Sequence, residues 1–182
     1  MRLPRSAPLI AISAFALAGL WALLHSATTP SRSIPASARG VIVRVVDGDT
    51  VVVAVAGHHE TVRLIGIDTP ETVKPNHPVD CYGPQASART KSLLPPRTAV
   101  IIEQDREARD RYGRLLAYVT RASDGLFVNL ELADGGYARA LPITPNTAHA
   151  ETFAAAVAGA QGQRLGLWGA CAYFGAPANG AG

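Results

Sequence analysis

The chain has 182 residues, 48% hydrophobic and 17% charged, which suits one compact domain with an extra apolar segment and excludes a chain disordered throughout. The formal net charge is +3 and the pI about 9.1, but Arg2, Arg5 and Arg32 lie in or beside the N-terminal segment and the remainder is close to neutral. Bulk charge is thus a weak argument for a polyanionic partner, and with only Lys74 and Lys91 as lysines any grip on an anion falls to guanidinium groups, which can hold phosphate bidentately.

Residues 7–24, APLIAISAFALAGLWALL, form an uncharged apolar run behind Arg2 and Arg5. As a helix it would span roughly 27 Å, enough for a hydrocarbon core, and it has no polar face to mark it as a buried core helix. Residues 1–24 are therefore expected to be a signal peptide or a transmembrane anchor, with the N-terminus cytoplasmic and the domain exported to the periplasm or the exterior. His25-Ser26-Ala27 is a poor cleavage triplet and Ala36-Ser37-Ala38 lies far downstream, which favours an uncleaved tether to the outer face of the cytoplasmic membrane. Residues 25–38 read as a flexible linker, 39–174 as the folded domain, and 175–182 as a disordered tail with nothing to bury. In an oxidising compartment the two cysteines, Cys81 and Cys171, are expected to pair rather than remain free thiols.

Within the domain, Gly40–Val46, Thr50–Ala56 and Glu60–Ile67 are runs rich in β-branched residues, separated by Asp47-Gly48-Asp49 and Gly57-His58-His59. They predict three consecutive antiparallel strands, with the two histidines in a solvated turn. Pro84 opens a helix through Leu94, stopped by Pro95-Pro96. Strands are expected at Thr98–Glu103 and Arg114–Thr120, a short helix over Leu126–Gly135, and an alanine-rich helix from Thr147 to about Arg164 with Phe153, Val157 and Ala160 on one stripe. The fold expected is mostly β with α, a five-stranded OB-type barrel with about three helices behind the N-terminal apolar helix.

Asp47, Asp49, Asp68 and Glu71 fall at the ends of these strands, with Arg63 among them. Acids converging with an arginine suggest metal-assisted phosphoryl-transfer chemistry. Singly the motifs are weak: Asp-Gly is a favoured hairpin turn, and Asp68-Thr69-Pro70-Glu71 could be a turn or a cap. Arg63 shares its strand parity with Ile65 and Ile67, so its guanidinium needs an anion, either Asp49 or Asp68 in a salt bridge or a phosphate.

Together, DGDTV at 47–51, VRLIGIDTPET at 62–72, YGPQAS at 82–87, DRYGRLLAYV at 110–119, VNLELADGGYA at 128–138 and GLW at 166–168 make the chain resemble the thermonuclease family of staphylococcal-nuclease-like domains. The resemblance implies an OB-fold, Ca²⁺-dependent endonuclease that cuts DNA and RNA to 3′-phosphate products. It implies Asp49, Asp68 and the Thr69 carbonyl as calcium ligands, with Asp47 and Thr50 behind them. Glu71 is implied as the general base, Arg63 and Arg114 as the phosphate-binding arginines, and Arg111 and Tyr112 as contacts to a nucleotide's terminal phosphate. One departure is visible: Leu141 and Ile143 stand where relatives commonly carry two tyrosines lining the base pocket. The partners expected are DNA and RNA as substrates and the membrane through the N-terminal helix, with no protein partner and a monomeric chain. The competing reading is a barrel that binds nucleic acid or protein without cutting; retention of Asp49, Asp68, Glu71, Arg63 and Arg114 together favours the enzyme.

Overall fold

The structure, a computed structural model, describes residues 34–178 except 74 and 77. The apolar segment at 7–24 and the linker up to residue 33 lie outside the described residues, and among the described residues no helix is long and apolar enough to cross a membrane.

The elements in order are β1 (Ser37–Asp47), β2 (Thr50–Val55), β3 (His58–Leu64), β4 (Gly66–Asp68), α1 (Gly83–Leu93), β5 (Ala99–Glu103), β6 (Leu115–Arg121), α2 (Val128–Asp134), β7 (Arg139–Leu141), α3 (Ala150–Gly162) and α4 (Leu167–Ala170). Five strands close into a barrel in the order β1-β2-β3-β6-β5, with β5 returning to β1. Only β3–β6 is parallel. This is the expected five-stranded OB-type barrel, and closure removes the exposed sheet edge that an open sheet of this size would leave.

Two-residue turns make the first two hairpins: Asp47 pairs with Thr50 across Gly48-Asp49, and Val55 with His58 across Ala56-Gly57. The second turn is thus one step earlier than the spacing predicted, because Ala56 and Gly57 both adopt positive φ (52° and 84°), the geometry that matches the strand twist. His58 and His59 consequently belong to β3, where they are exposed.

The barrel interior is built from β-branched and leucine side chains, among them Ile42, Val51, Val53, Val62, Leu64 and Ile102, all but excluded from solvent. One end is closed by α2 through Val128 and Leu132 and by α3 through Phe153 and Val157. Pro84 lies in the first turn of α1 as expected. The two later helices are shorter than their sequence patterns, and α4 and the β4–β7 pair were not foreseen.

The third predicted strand does not run through to Ile67. It breaks at Ile65-Gly66, where Gly66 takes φ 81° and a Cβ built on it would lie 2.2 Å from the Phe153 ring. Only glycine permits both the left-handed backbone and that close approach. The parity linking Arg63 to Ile65 and Ile67 is therefore lost, and Gly66–Asp68 turns away to pair with Arg139–Leu141.

Cys81 and Cys171 form a disulfide. The tail expected from residue 175 is, in its first part, structured: Ala176 is buried, its carbonyl accepts the Cys81 N–H at 2.6 Å, and Ala178 donates to the Val79 carbonyl at 2.8 Å. Backbone pairing with residues 79–81 supplies partners that the composition of the tail did not reveal.

Candidate active site

A cavity of about 560 Å³ opens beside the first hairpin and is lined by Asp47, Asp49, Thr50, Arg63, Asp68, Thr69, Glu71, Tyr112 and Arg114. These residues come from the β1–β2 turn, β3, the end of β4, and the loop before β6, so strand ends spread over more than sixty residues of sequence meet at one place. Of the metal, catalytic and phosphate-binding candidates named from the sequence, Arg111 alone lies outside this lining; with Leu141 and Ile143 it borders the neighbouring cleft.

The tight β1–β2 turn positions the first acids. Gly48 packs against Thr69, where a Cβ would meet the hydroxyl at 2.5 Å, so the absence of a side chain lets the two segments touch. Asp49 uses that proximity: its Oδ2 accepts the Thr69 N–H at 3.0 Å and the Thr69 hydroxyl at 3.1 Å, while Oδ1 accepts the Thr50 hydroxyl at 3.0 Å. The Thr90 hydroxyl of α1 donates to the Gly48 carbonyl at 2.6 Å, tying the turn to the helix.

Arg63 sits between the acids. Its Nη1 lies 3.0 Å from Asp49 Oδ2 and donates to the Leu64 and Ile67 carbonyls at 2.8 and 3.1 Å; Nη2 donates to Asp68 Oδ1 at 2.9 Å. Both salt-bridge partners left open by the sequence are thus engaged at once. The two carbonyl contacts are possible because the chain turns at Gly66 and points the Leu64 and Ile67 carbonyls back at the guanidinium.

Asp68 faces a second arginine that sequence reasoning missed. Arg139 is its direct cross-strand neighbour on β7, with Nε 3.0 Å and Nη2 2.8 Å from Asp68 Oδ2. Burial raises the Asp68 carboxyl above its ordinary range, with the Asp49 charge adding to the rise and the Arg63 and Arg139 charges opposing it. Asp47 is pushed up to about 6, chiefly by burial, with the Glu71 carboxyl and Asp49 adding to the rise; hydrogen bonds from Thr72 and the Gly48 N–H oppose it. Its closest partner is the Thr72 hydroxyl at 2.5 Å.

Glu71 lies on a loop rather than a strand or helix, and its Oε1 accepts the N–H groups of Thr72 and Val73, both at 2.9 Å. Arg114 is oriented by Asp110, whose Oδ2 accepts the Arg114 Nε–H at 2.7 Å and whose Oδ1 accepts its backbone N–H at 2.9 Å. Burial works against the Asp110 charge, but these bonds, the Arg114 charge and the Tyr112 N–H hold its carboxyl below the usual range. No protein group among the described residues takes the Arg114 Nη atoms. The Tyr112 ring, 69% exposed, has the Arg111 guanidinium 4.8 Å and the Arg114 guanidinium 5.6 Å from its centre.

The adjoining cleft, about 530 Å³, is lined by Leu64, Ile65, Ile67, Leu116, Leu141 and Ile143 together with Arg111, and it shares Arg63, Tyr112 and Arg114 with the cavity. Ile143 is 60% exposed. Tyr137 packs on Tyr82 and near Arg89, outside both linings.

Two further residues hold the site from outside the acid-lined cavity. Asn129 is fully buried on α2, its Oδ1 accepting the Val119 N–H and its Nδ2 donating to the Ile65 carbonyl, each at 2.9 Å. Asp110 was visible in the sequence four residues before Arg114, but the alternating charges around it read equally well as a solvated loop. For Asn129 the signal was an amide inside an apolar helical run; Arg139 carried no signal at all.

Among the described residues no group of three or more His, Cys, Asp or Glu side chains is arranged to hold a metal ion.

The family described as "Staphylococcal nuclease homologue" matches residues 61–170. A thermonuclease of Staphylococcus intermedius is 47% identical over 128 residues, covering 70% of this chain and 74% of the relative. A thermonuclease of Staphylococcus hyicus is 43% identical over 127 residues, covering 70% and 73%. The endonuclease YncB of Bacillus subtilis (strain 168) is 40% identical over 131 residues, covering 71% and 61%.

Proposed function

Since the chain belongs to the staphylococcal nuclease homologue family and is by class a hydrolytic endonuclease, we propose that it is the calcium-dependent kind, cutting DNA and RNA to products that end in 3′-phosphates. The observation that carries this reading is one cavity lined by Asp49, Asp68 and Glu71 together with Arg63 and Arg114.

The residues present fit a calcium ion. Asp49 and Asp68 converge closely enough to share one guanidinium, and burial together with the Asp49 charge disfavours ionised Asp68, so added positive charge there is stabilising. With the Thr69 carbonyl the donors are all oxygen, which a hard cation prefers. Bound there, the ion would supply Lewis-acid neutralisation of charge on the phosphoryl oxygens. Asp47 and Thr50 would steady this set, Thr50 through its bond to Asp49.

Arg63 and Arg114 bind the scissile phosphate. Because Asp110 takes the Nε of Arg114, the Nη groups remain for phosphoryl oxygens. Such donors act most strongly as negative charge accumulates in the transition state. Glu71 accepts the proton of the attacking water. Arg111 and Tyr112 hold a terminal phosphate, and the apolar cleft beyond takes a base. With Leu141 and Ile143 rather than aromatics there, base binding forgoes stacking of about 1–3 kcal/mol and becomes more permissive. The Cys81–Cys171 disulfide supports export to an oxidising compartment.

The test is incubation of the purified protein with single-stranded DNA and with RNA, in Ca²⁺ or in chelator. Calcium-dependent cleavage, lost in Glu71→Gln, is expected. Cleavage that persists in chelator, or that Glu71→Gln leaves untouched, contradicts the mechanism.

A further inference from the structure

We propose that Asp80 is a positioning residue for Glu71, and that the C-terminal strap 171–178 holds Asp80 in place. The inference rests on the reading of Glu71 as the base. Glu71 lies in the long connection between β4 and α1, with no regular element to fix it. Asp80 takes that part: its buried carboxylate accepts the Glu71 N–H through Oδ2 at 2.9 Å, and its own N–H donates to the Glu71 carbonyl at 2.9 Å. Both polar groups of the Glu71 backbone are therefore bonded to one residue, which sets the direction of the Glu71 Cα–Cβ bond. Pro70 restricts the chain from the other side.

Asp80 stands two residues ahead of the cap position of α1, so its carboxylate does not serve as the helix cap. Instead the Asp80 carboxylate reaches to Glu71, and the cap position of α1, Tyr82, makes no side-chain bond.

Behind Asp80 lies the strap. Asp80 faces Pro177 in a bridge flanked by the Cys81–Ala176 and Ala178–Val79 bonds, and the Cys81–Cys171 disulfide closes the near end. The strap also carries Phe174, whose ring lies 4.2 Å from the Arg139 guanidinium that bonds Asp68. One segment thus backs the supports of both Glu71 and Asp68, two residues the reaction needs at fixed separation. A displacement of about 1 Å at such a group can cost on the order of 100-fold in rate.

The experiment is steady-state kinetics of the full chain on single-stranded DNA with Ca²⁺. Asp80→Ala is expected to lower kcat by about tenfold or more with KM changed less than about twofold, since misplacing the base leaves ground-state binding intact. Asp80→Asn keeps an oxygen that can accept the Glu71 N–H and should recover kcat to within about threefold of wild type. A wild-type kcat in Asp80→Ala, or an Asn variant as slow as the alanine, overturns the proposal. If Asp80→Ala does not fold, a chain truncated after Gly175 keeps Asp80 and the disulfide but loses the strap pairing; its kcat should fall by about threefold or more at unchanged KM, and full activity overturns the proposal. Glu71→Gln run alongside separates the two readings: a fast Glu71→Gln refutes Glu71 as base, whereas a slow Glu71→Gln beside a fast Asp80→Ala refutes the positioning role alone.

Discussion

Asn129 offers the sharpest test of how the barrel holds its site. Its amide joins the Val119 N–H on β6 to the Ile65 carbonyl at the β3–β4 break, each at 2.9 Å and with no solvent access. Leucine has the same branched arrangement of heavy atoms and is somewhat larger, so no void is left for water, but both backbone groups lose their partner. Leaving a buried group unsatisfied costs about 1–3 kcal/mol, so about 4 kcal/mol for the pair at mid-range, and the added apolar contact returns about 1–2 kcal/mol, so Asn129→Leu should lose roughly 2–3 kcal/mol. Urea unfolding reads this as a lower midpoint at unchanged slope. Nuclease activity should fall as well, because Ile65 lies between Arg63 and Asp68 and its carbonyl anchors the corner that separates them. A loss of less than about 1 kcal/mol would refute the reasoning, since it would mean that the two backbone groups find other partners at little cost.

Three further outcomes follow from the same geometry. Gly66→Ala forces a Cβ to 2.2 Å from Phe153 at φ 81°, and thermal unfolding should show a loss of about 3 kcal/mol or more; a stable alanine variant would mean that the strand can run straight through the break. Reducing Cys81–Cys171, separated by 90 residues, should lower stability by about 4–5 kcal/mol on the chain-entropy estimate, read as a shift of the urea midpoint with and without reductant, and coincident curves would count against it. Tyr118 is buried and donates to Asp105 at 3.1 Å, and burial followed by that bond and charge raises its phenol from 10.0 to about 12. A raised native pKa means the contribution is complete below pH 10 and lost as pH climbs through 12, by roughly 2–3 kcal/mol; Tyr118→Phe should flatten this alkaline slope, and an identical slope in both proteins would exclude Tyr118 as its source.

Much of the fold was legible because it rests on short-range rules. Alternation and turn residues locate β1 and β2, Pro84 and Pro95-Pro96 bracket α1, and Phe153, Val157 and Ala160 mark the buried stripe of α3. The missed features depend on partners far along the chain. The break at Gly66 needs Phe153, the β4–β7 pair needs residues 139–141, and the folding of residues 175–178 needs the edge at 79–81.

The candidate site divides in the same way. The chemical types and order of Asp47, Asp49, Arg63, Asp68, Glu71 and Arg114 were determined by the sequence, because the strand–turn pattern alone sends acids and an arginine to strand ends. Which group faces which was decided only by the tertiary structure. Arg63 bridges Asp49 and Asp68 because the chain turns at Gly66; Arg139 reaches Asp68 because β7 pairs with β4; Asp80 grips Glu71 against the strap. Hydrogen bonds and ion pairs act over about 3 Å, and only the closed barrel brings residues tens of positions apart to within that distance.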